Sequence, residues 1–289
     1  MLILTSAAEV TAVSKEAHRG GKSVGFVPTM GALHEGHLSL VRTARAHSDV
    51  VVVSVFVNPK QFGPMEDFSK YPRDAERDSA MLAAEKTDYL FLPSTEEMYP
   101  QGATSWVTVE ELSEKLDGRS RPGHFRGVTT VVAKLFNIVQ PDLAFFGQKD
   151  AAQVAIVNKM VRDLNFDVRI LVCPIVRESD GLAMSSRNAY LSPEQRKQAA
   201  VLYRSLMRVQ SLADRGESSS ARLLVAGTQV MAEEAAVKLD YFEIVNRDTL
   251  DPVSDISGGA LVAVAAYVGS TRLIDNIVVS GKGQAAAPR

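Results

Sequence analysis

One cysteine, Cys173, is all the thiol chemistry that the 289 residues hold. An intrachain disulfide and a thiolate-rich metal site are therefore excluded. Cys173 itself lies between Val172 and Pro174 at the end of an apolar run and reads as a small core residue. Long hydrophobic runs are also missing: residues 50–57 and 260–268 reach about half of what a membrane-crossing helix needs, and both are rich in strand-forming Val. The first ten residues have no basic start and no cleavage-like pattern, so the expectation is a chain without a signal peptide, located in the cytoplasm. Charge of one sign is scarce as well. A net charge of -2 without a Lys/Arg cluster gives no electrostatic reason to expect nucleic acid or an anionic membrane, and a small molecule is the expected partner. No GxxxxGK[ST] loop is present, which disfavours a Walker-type kinase, and no GxGxxG follows a strand, which disfavours a NAD enzyme.

What is present is an ordinary globular composition, 46% hydrophobic and 23% charged, with a loose tail expected only over residues 280–289. The length predicts one larger and one smaller domain. Through the first 175 or so residues, β-branched runs alternate with helical patterns, the signature of a parallel sheet with crossover helices. Strands are predicted over residues 24–28, 50–57, 89–92, 143–146 and 168–172, with a short extra strand at 106–109. Val128, Val131, Val132, Leu135, Phe136 and Val139 form one buried helical stripe, which Pro141 ends. Residues 74–86 and 150–164 are further helices. After Pro174 the pattern changes. Ser192-Pro193-Glu194-Gln195 supplies an N-cap, a proline at the first helical position and a reciprocal cap, so a long helix is predicted to begin there. A second helix over about 219–239 precedes strands at 241–245, 260–268 and 273–279, an order that indicates a separate α+β unit.

The chemistry concentrates after the predicted strands. His34-Glu35-Gly36-His37 opens a helix just beyond the first of them, where unpaired N–H groups and the helix dipole suit a polyphosphate; the two imidazoles share one face and the glycine leaves room for a ring. Asn58-Pro59-Lys60-Gln61 follows the next strand and offers two amides able to bind both carboxylate and hydroxyl. Gly147-Gln148-Lys149-Asp150 supplies a backbone approach point, a cation for phosphate and an acceptor for ribose or metal, with Gln153 one helical turn further on. Met184-Ser185-Ser186-Arg187 is a compact donor set for outer phosphates.

Taken in order, Pro28 to His37, Phe56-Val57-Asn58-Pro59 with Gln61-Phe62, Tyr71-Pro72-Arg73, Arg121-Pro122-Gly123-His124-Phe125-Arg126-Gly127, Phe146 to Asp150 and Met184 to Asn188 resemble the motifs of the pantothenate synthetase family. The HxGH element alone belongs to a broad superfamily of nucleotidyltransferases; the other motifs narrow the resemblance. It implies an α/β fold with a Rossmann-like ATP- and pantoate-binding domain over 1–176, and a C-terminal α+β domain over 177–289 that carries the MSSR loop and closes over ATP. It further implies an AMP-forming ligase that activates pantoate as an adenylate and passes it to β-alanine. ATP would be held by Met30, Gly31, His34, Gly36, His37, Gly147, Gln148, Lys149, Asp150, Val176, Met184, Ser185, Ser186 and Arg187. Among these, His34, His37, Lys149 and Arg187 would take the catalytic parts. Pantoate would lie on Gln61, Gln153 and Asn58, with Gln61 also serving β-alanine. Mg2+ would accompany ATP, with Asp78 or Asp150 as its acid; no carboxylate cluster marks a dedicated cage. His124 either seats the amino acid or is a plain loop histidine. The resemblance also suggests a homodimer through the first domain. The rival expectation is another HxGH nucleotidyltransferase acting on a phosphate substrate.

Overall fold

Strands buried on both faces read as continuous Val-rich runs, and parallel pairing demands a crossover helix between them. In the computed structural model, which describes residues 1–64 and 66–280, the parallel sheet has six strands, of which β2 and β3 read this way: β1 (Leu2–Leu4), β2 (Val24–Thr29), β3 (Val50–Val55), β4 (Tyr89–Phe91), β5 (Leu143–Gly147) and β6 (Arg169–Cys173). Their order is β1-β4-β3-β2-β5-β6, and every pairing is parallel. The chain steps from β2 to β3 and β4 on one side and to β5 and β6 on the other. Open α/β sheets leave a crevice beyond the carboxyl ends of the strands where the order reverses, here between β2 and β5. The helices in this part of the chain are α1 (Ala7–Arg19), α2 (Glu35–His47), α3 (Ala75–Ala84), α4 (Thr95–Met98), α5 (Asp117–Ser120), α6 (His124–Val139) and α7 (Ala151–Asp163). Val27, Val51, Val53, Leu90 and Phe145 of the sheet pack with Leu40, Val41 and Ala44 of α2 into one core. Cys173, buried at the end of β6, belongs to the same core.

The rest of the chain forms α8 (Pro193–Ala199), α9 (Val201–Asp214), α10 (Ser220–Ala232) and the strands β7 (Val237–Val245), β8 (Ala260–Val268) and β9 (Thr271–Val279). The three strands make an antiparallel sheet in chain order. Leu202, Leu206 and Val209 of α9 and Leu223 of α10 pack on Phe242, Val262, Val264 and Leu273. Two compact units result. The first comprises Met1–Glu114, Arg121–Gly147 and Ile156–Pro174; the second comprises Lys115–Ser120, Gln148–Ala155 and the chain from Ile175 onward. Side-chain bonds explain why two short segments join the second unit: Lys115 pairs with Asp251 at 2.6 Å, Arg272 with Asp117 at 2.7 Å, and Asn276 holds the backbone of Gln148 and Lys149.

Several local expectations need revision. Residues 106–109 form no strand: Val107 donates its N–H to Thr130 Oγ1 at 3.0 Å and accepts from Thr129 Oγ1 at 2.6 Å, so side chains of α6 take the bonds that a ladder would have taken. β1 has no counterpart among the predicted strands; its three residues pair with β4. The Ser192 capping box starts α8 as read, with Gln195 answering the cap, but α8 ends at Ala199 and α9 begins after Ala200. Residues 237–239 leave the predicted second helix for β7, where Val237 and Leu239 pair with Val268 and Ala266; cross-strand pairing overrides local propensity there. Apart from Ser280, the predicted tail lies outside the described residues.

Candidate functional site

His34 and His37 are part of the scaffold that presents them. His34 is the N-cap of α2, its Nδ1 accepting the Gly36 N–H at 3.1 Å, while His37 Nδ1 accepts the His34 N–H at 3.4 Å. The two imidazoles thus make the reciprocal capping arrangement usually built from Ser and Glu. With Nδ1 an acceptor, the neutral ring carries its hydrogen on Nε2. The rings lie 4.2 Å apart between centroids, both half-buried. The turn before them is set by Gly31, whose φ of 81° favours glycine, and by Asp78 on α3, which accepts the N–H groups of Ala32 and Leu33 at 2.8 Å each.

Asn58 and Gln61 share one network. Asn58 is 1% exposed, and its amide donates to Gln61 Oε1 at 3.0 Å and Gly127 O at 3.1 Å. Its Oδ1 accepts from Lys60 N at 3.2 Å and from the Tyr99 hydroxyl at 2.9 Å. Both donors and both acceptor positions are engaged inside the protein, so Asn58 stands behind Gln61 and orients it. Gln61 Nε2 reaches Met30 Sδ at 3.1 Å, which leaves its second N–H without a partner among the described residues. Burial pushes the Tyr99 phenol up to about 12, so it stays a donor across the physiological range.

The Arg121-to-Gly127 segment supports the same turn. His124, first residue of α6, contacts Gln61 O through Nδ1 at 2.8 Å, and Arg121 contacts His124 Nε2 through Nη1 at 3.1 Å. Arg121 also grips Glu66 through Nε at 2.8 Å and Nη2 at 2.5 Å. An arginine can only donate, so His124 Nε2 accepts and Nδ1 carries the hydrogen given to Gln61 O. His124 is therefore a prop for Gln61.

In the second unit, Gln148–Asp150 forms a short 3-10 turn leading into α7, on which Gln153 is half-buried. Lys149 Nζ lies 3.5 Å from Asp150 Oδ1, and the Asp150 side chain is about half exposed. Val176 accepts the Met184 N–H at 3.0 Å, which ties it to the Met184 to Arg187 stretch. Ser185 caps the 3-10 turn Ser186–Tyr190, its Oγ accepting the Arg187 N–H at 3.3 Å. Asn188 steadies that turn by donating to Glu178 at 2.9 Å and Ala183 O at 3.1 Å. β9 packs against both short turns, so one strand underlies both phosphate-type segments of this unit. Asn276, Asp275 and Arg177, which organise this region, stand outside the sequence motifs; their one signal was an Asp-Asn pair set between Leu273-Ile274 and Ile277-Val278-Val279 of β9.

Among the described residues, no group of three or more His, Cys, Asp or Glu could hold a metal ion, and no helix is long and apolar enough to cross a membrane. The donor set still fits magnesium brought by a polyphosphate, which needs only one or two carboxylates besides phosphate and water. Asp78 is 1% exposed with both oxygens bonded to backbone, whereas Asp150 offers an accessible carboxylate.

The chain matches the family model described as pantoate-beta-alanine ligase over residues 2–278. It is 62% identical over 289 residues to the pantothenate synthetase of Koribacter versatilis, covering 100% of this chain and 99% of the relative. To that of Acidobacterium capsulatum it is 65% identical over 260 residues, 90% of this chain and 87% of the relative. Pantothenate synthetase from Thermus thermophilus has a TM-score of 0.91 at 50% identity, covering 96% of this chain and 99% of its own. A pantoate-beta-alanine ligase from Francisella tularensis, solved with beta-gamma ATP and beta-alanine, has a TM-score of 0.80 at 34% identity, covering 96% and 97%.

Proposed function

The chain belongs to the pantoate-beta-alanine ligase family, and from that premise we propose how its residues divide the work. It is a ligase that condenses pantoate with β-alanine at the cost of ATP. The reaction runs in two steps. The pantoate carboxylate attacks the α-phosphorus of ATP, the bond to the bridging oxygen breaks, and pyrophosphate leaves. The β-alanine amine then attacks the acyl carbon of pantoyl adenylate, AMP leaves, and the amine loses a proton.

The observation that carries this reading is the capping pair of histidines. Each uses Nδ1 as an acceptor, so the hydrogen of a neutral ring sits on Nε2. Departure of pyrophosphate builds negative charge on phosphate oxygens, and fixed N–H donors stabilise that charge without reorganising. His34 and His37 therefore act as donors to phosphate, and no proton needs to leave either ring. Met30, Gly31 and Gly36 line the backbone beside them. Gln61, with one amide N–H without a partner among the described residues, takes pantoate and then helps seat β-alanine, and Asn58 orients it. In the second unit, Lys149 serves the α-phosphate, Ser185, Ser186 and Arg187 the outer phosphates, Gln153 the pantoate, and Gln148, Val176 and Met184 frame the nucleotide, with Gly147, at the end of β5, doing so from the first unit.

Magnesium, when bound with ATP, would neutralise phosphate charge, and Asp150 is the residue suited to hold it. A homodimer formed through the first unit and a cytoplasmic location extend the reading, supported by family resemblance. Sedimentation velocity tests the dimer.

The two-step order is tested by isotope exchange. Labelled pyrophosphate should enter ATP when enzyme, magnesium and pantoate are present without β-alanine, and omission of pantoate should abolish it. A single-turnover acid quench checks for acyl adenylate directly. If neither signal appears until β-alanine is added, the two-step reading is wrong; formation of ADP would replace adenylation with acyl-phosphate chemistry.

A further inference from the structure

Two consecutive backbone carbonyls, those of Gln148 and Lys149, face one side chain. Asn276, on β9 and 2% exposed, donates one amide hydrogen to each at 2.9 Å, and its Oδ1 accepts Gln148 Nε2 at 2.9 Å. An asparagine amide has only two hydrogens to give, so both are committed to this turn. Asn276 is itself anchored. Its backbone N–H donates to Asp275 Oδ1 at 2.7 Å, and Asp275, also 2% exposed, takes two bonds from Arg177 at 2.6 and 3.0 Å. The Arg177 guanidinium also donates to Gly181 O at 2.9 Å and lies 4.6 Å from the centre of the Tyr203 ring.

Peptide units are planar, so fixing a carbonyl fixes the whole plane to which it belongs. The Gln148 carbonyl belongs to the plane on one side of the Lys149 Cα, and the Lys149 carbonyl to the plane on the other. Together the two planes set the direction in which the Lys149 side chain leaves the backbone. A pair of neutral bonds would give modest stability. Orientation is the greater effect, because small misplacements of a reacting group cost rate steeply.

We propose that Asn276 is a positioning residue for adenylation, holding the two peptide planes that flank Lys149, with the Arg177–Asp275 pair as its anchor. This rests on the reading of Lys149 as the cation for the α-phosphate. The Asn276 amide touches no substrate; it acts through the lysine.

A double-mutant cycle tests it. Single-turnover formation of acyl adenylate is measured, at saturating ATP and pantoate, for the wild type, Asn276→Ala, Lys149→Ala and the double variant, with far-UV circular dichroism and thermal midpoints for each. The expected result is a loss of roughly tenfold to a hundredfold for Asn276→Ala, a smaller loss for Asn276→Ser, which keeps one donor, and less than about threefold for Asn276→Ala when Lys149 is already Ala. A merely structural role would cost the same factor in both backgrounds, and that result overturns the proposal. So does a wild-type rate for Asn276→Ala beside a slow Lys149→Ala, which would leave the reading of Lys149 intact. A wild-type rate for Lys149→Ala overturns both. If Asn276→Ala loses its cooperative unfolding transition, the cycle is run with Asn276→Ser and read in the same way.

Discussion

The backbone N–H of Leu33 donates to the Asp78 carboxylate at 2.8 Å, joining the turn before α2 to a side chain on α3. The second carboxylate oxygen takes the Ala32 N–H at the same distance. Ala32 has a φ of 51° and Gly31 of 81°, so the turn that leads to His34 is held in left-handed backbone. Asp78→Ala should remove the acceptor of the buried Leu33 N–H, at about 1–3 kcal/mol, together with that of the half-buried Ala32 N–H, and adenylation should fall with stability. Asp78→Asn keeps one acceptor and should lose less of both. Urea midpoints and single-turnover rates check this. A raised magnesium requirement with unchanged stability would instead make Asp78 a metal ligand.

The double role of His34 allows its parts to be separated. His34→Ala removes both the cap and the Nε2–H donor; loss of an N-cap costs about 1 kcal/mol. His34→Asn retains an oxygen able to cap Gly36 but no Nε2–H. Both variants should therefore lose roughly a hundredfold to a thousandfold in adenylation rate, while only His34→Ala loses thermal stability. His37→Ala should lose a comparable rate. Near-wild-type turnover in His34→Asn at saturating ATP would confine His34 to capping.

What the sequence made legible is local, and what it hid is not. Strand edges at 24, 50, 89, 143 and 260 and the Ser192 cap could be read because β-branching, proline and cap chemistry act within a few residues. The motif loops could be placed after their strands for the same reason. Asn58 looked like a ligand because its residue type permits it; only the fold brings Tyr99 and Gly127 to its amide. The hold of Asn276 on Gln148 spans 128 positions, and no period or motif encodes such a distance. Residues 106–109 have strand-like chemistry, but threonines of a later helix take up the backbone groups of Val107.

At Gly127, α6 comes close to the backbone of the turn that carries Gln61. A Cβ there would stand 2.2 Å from Lys60 O and 2.6 Å from Gln61 Cα, both backbone atoms that cannot swing aside. Alanine in a helix interior ordinarily gains about 0.5–1 kcal/mol over glycine, but overpacking of this kind costs about 1–3 kcal/mol. Gly127→Ala should therefore be destabilised despite its better helix propensity. It should also raise the KM for pantoate more than that for ATP, as should Gln61→Ala. An equal change in both KM values would detach this turn from the acid.

Glu66 gives the support of Gln61 a pH dependence. Burial raises its carboxyl, but the Arg121 hydrogen bond and charge, with His124 nearby, outweigh that and hold it below the ordinary value of 4.5. A carboxylate lowered on folding is protonated more readily in the unfolded chain, so the unfolded state binds more protons in this range. The stability contributed by the Glu66–Arg121 pair is thus fully present above about pH 4.5 and is lost as pH falls through the lower, folded-state value. Glu66→Gln removes that titration. Its urea midpoint should lie below the wild-type value at neutral pH, with the gap narrowing as the medium is acidified below about pH 4.5. Activity should respond as well, because Arg121 also contacts His124, which holds Gln61 O. The variant should raise the pantoate KM at neutral pH while leaving the ATP KM near wild type. A stability gap that stays constant across the acid range would mean that the Glu66–Arg121 pair contributes no proton-linked stability, and an unchanged pantoate KM would remove it from the support of Gln61.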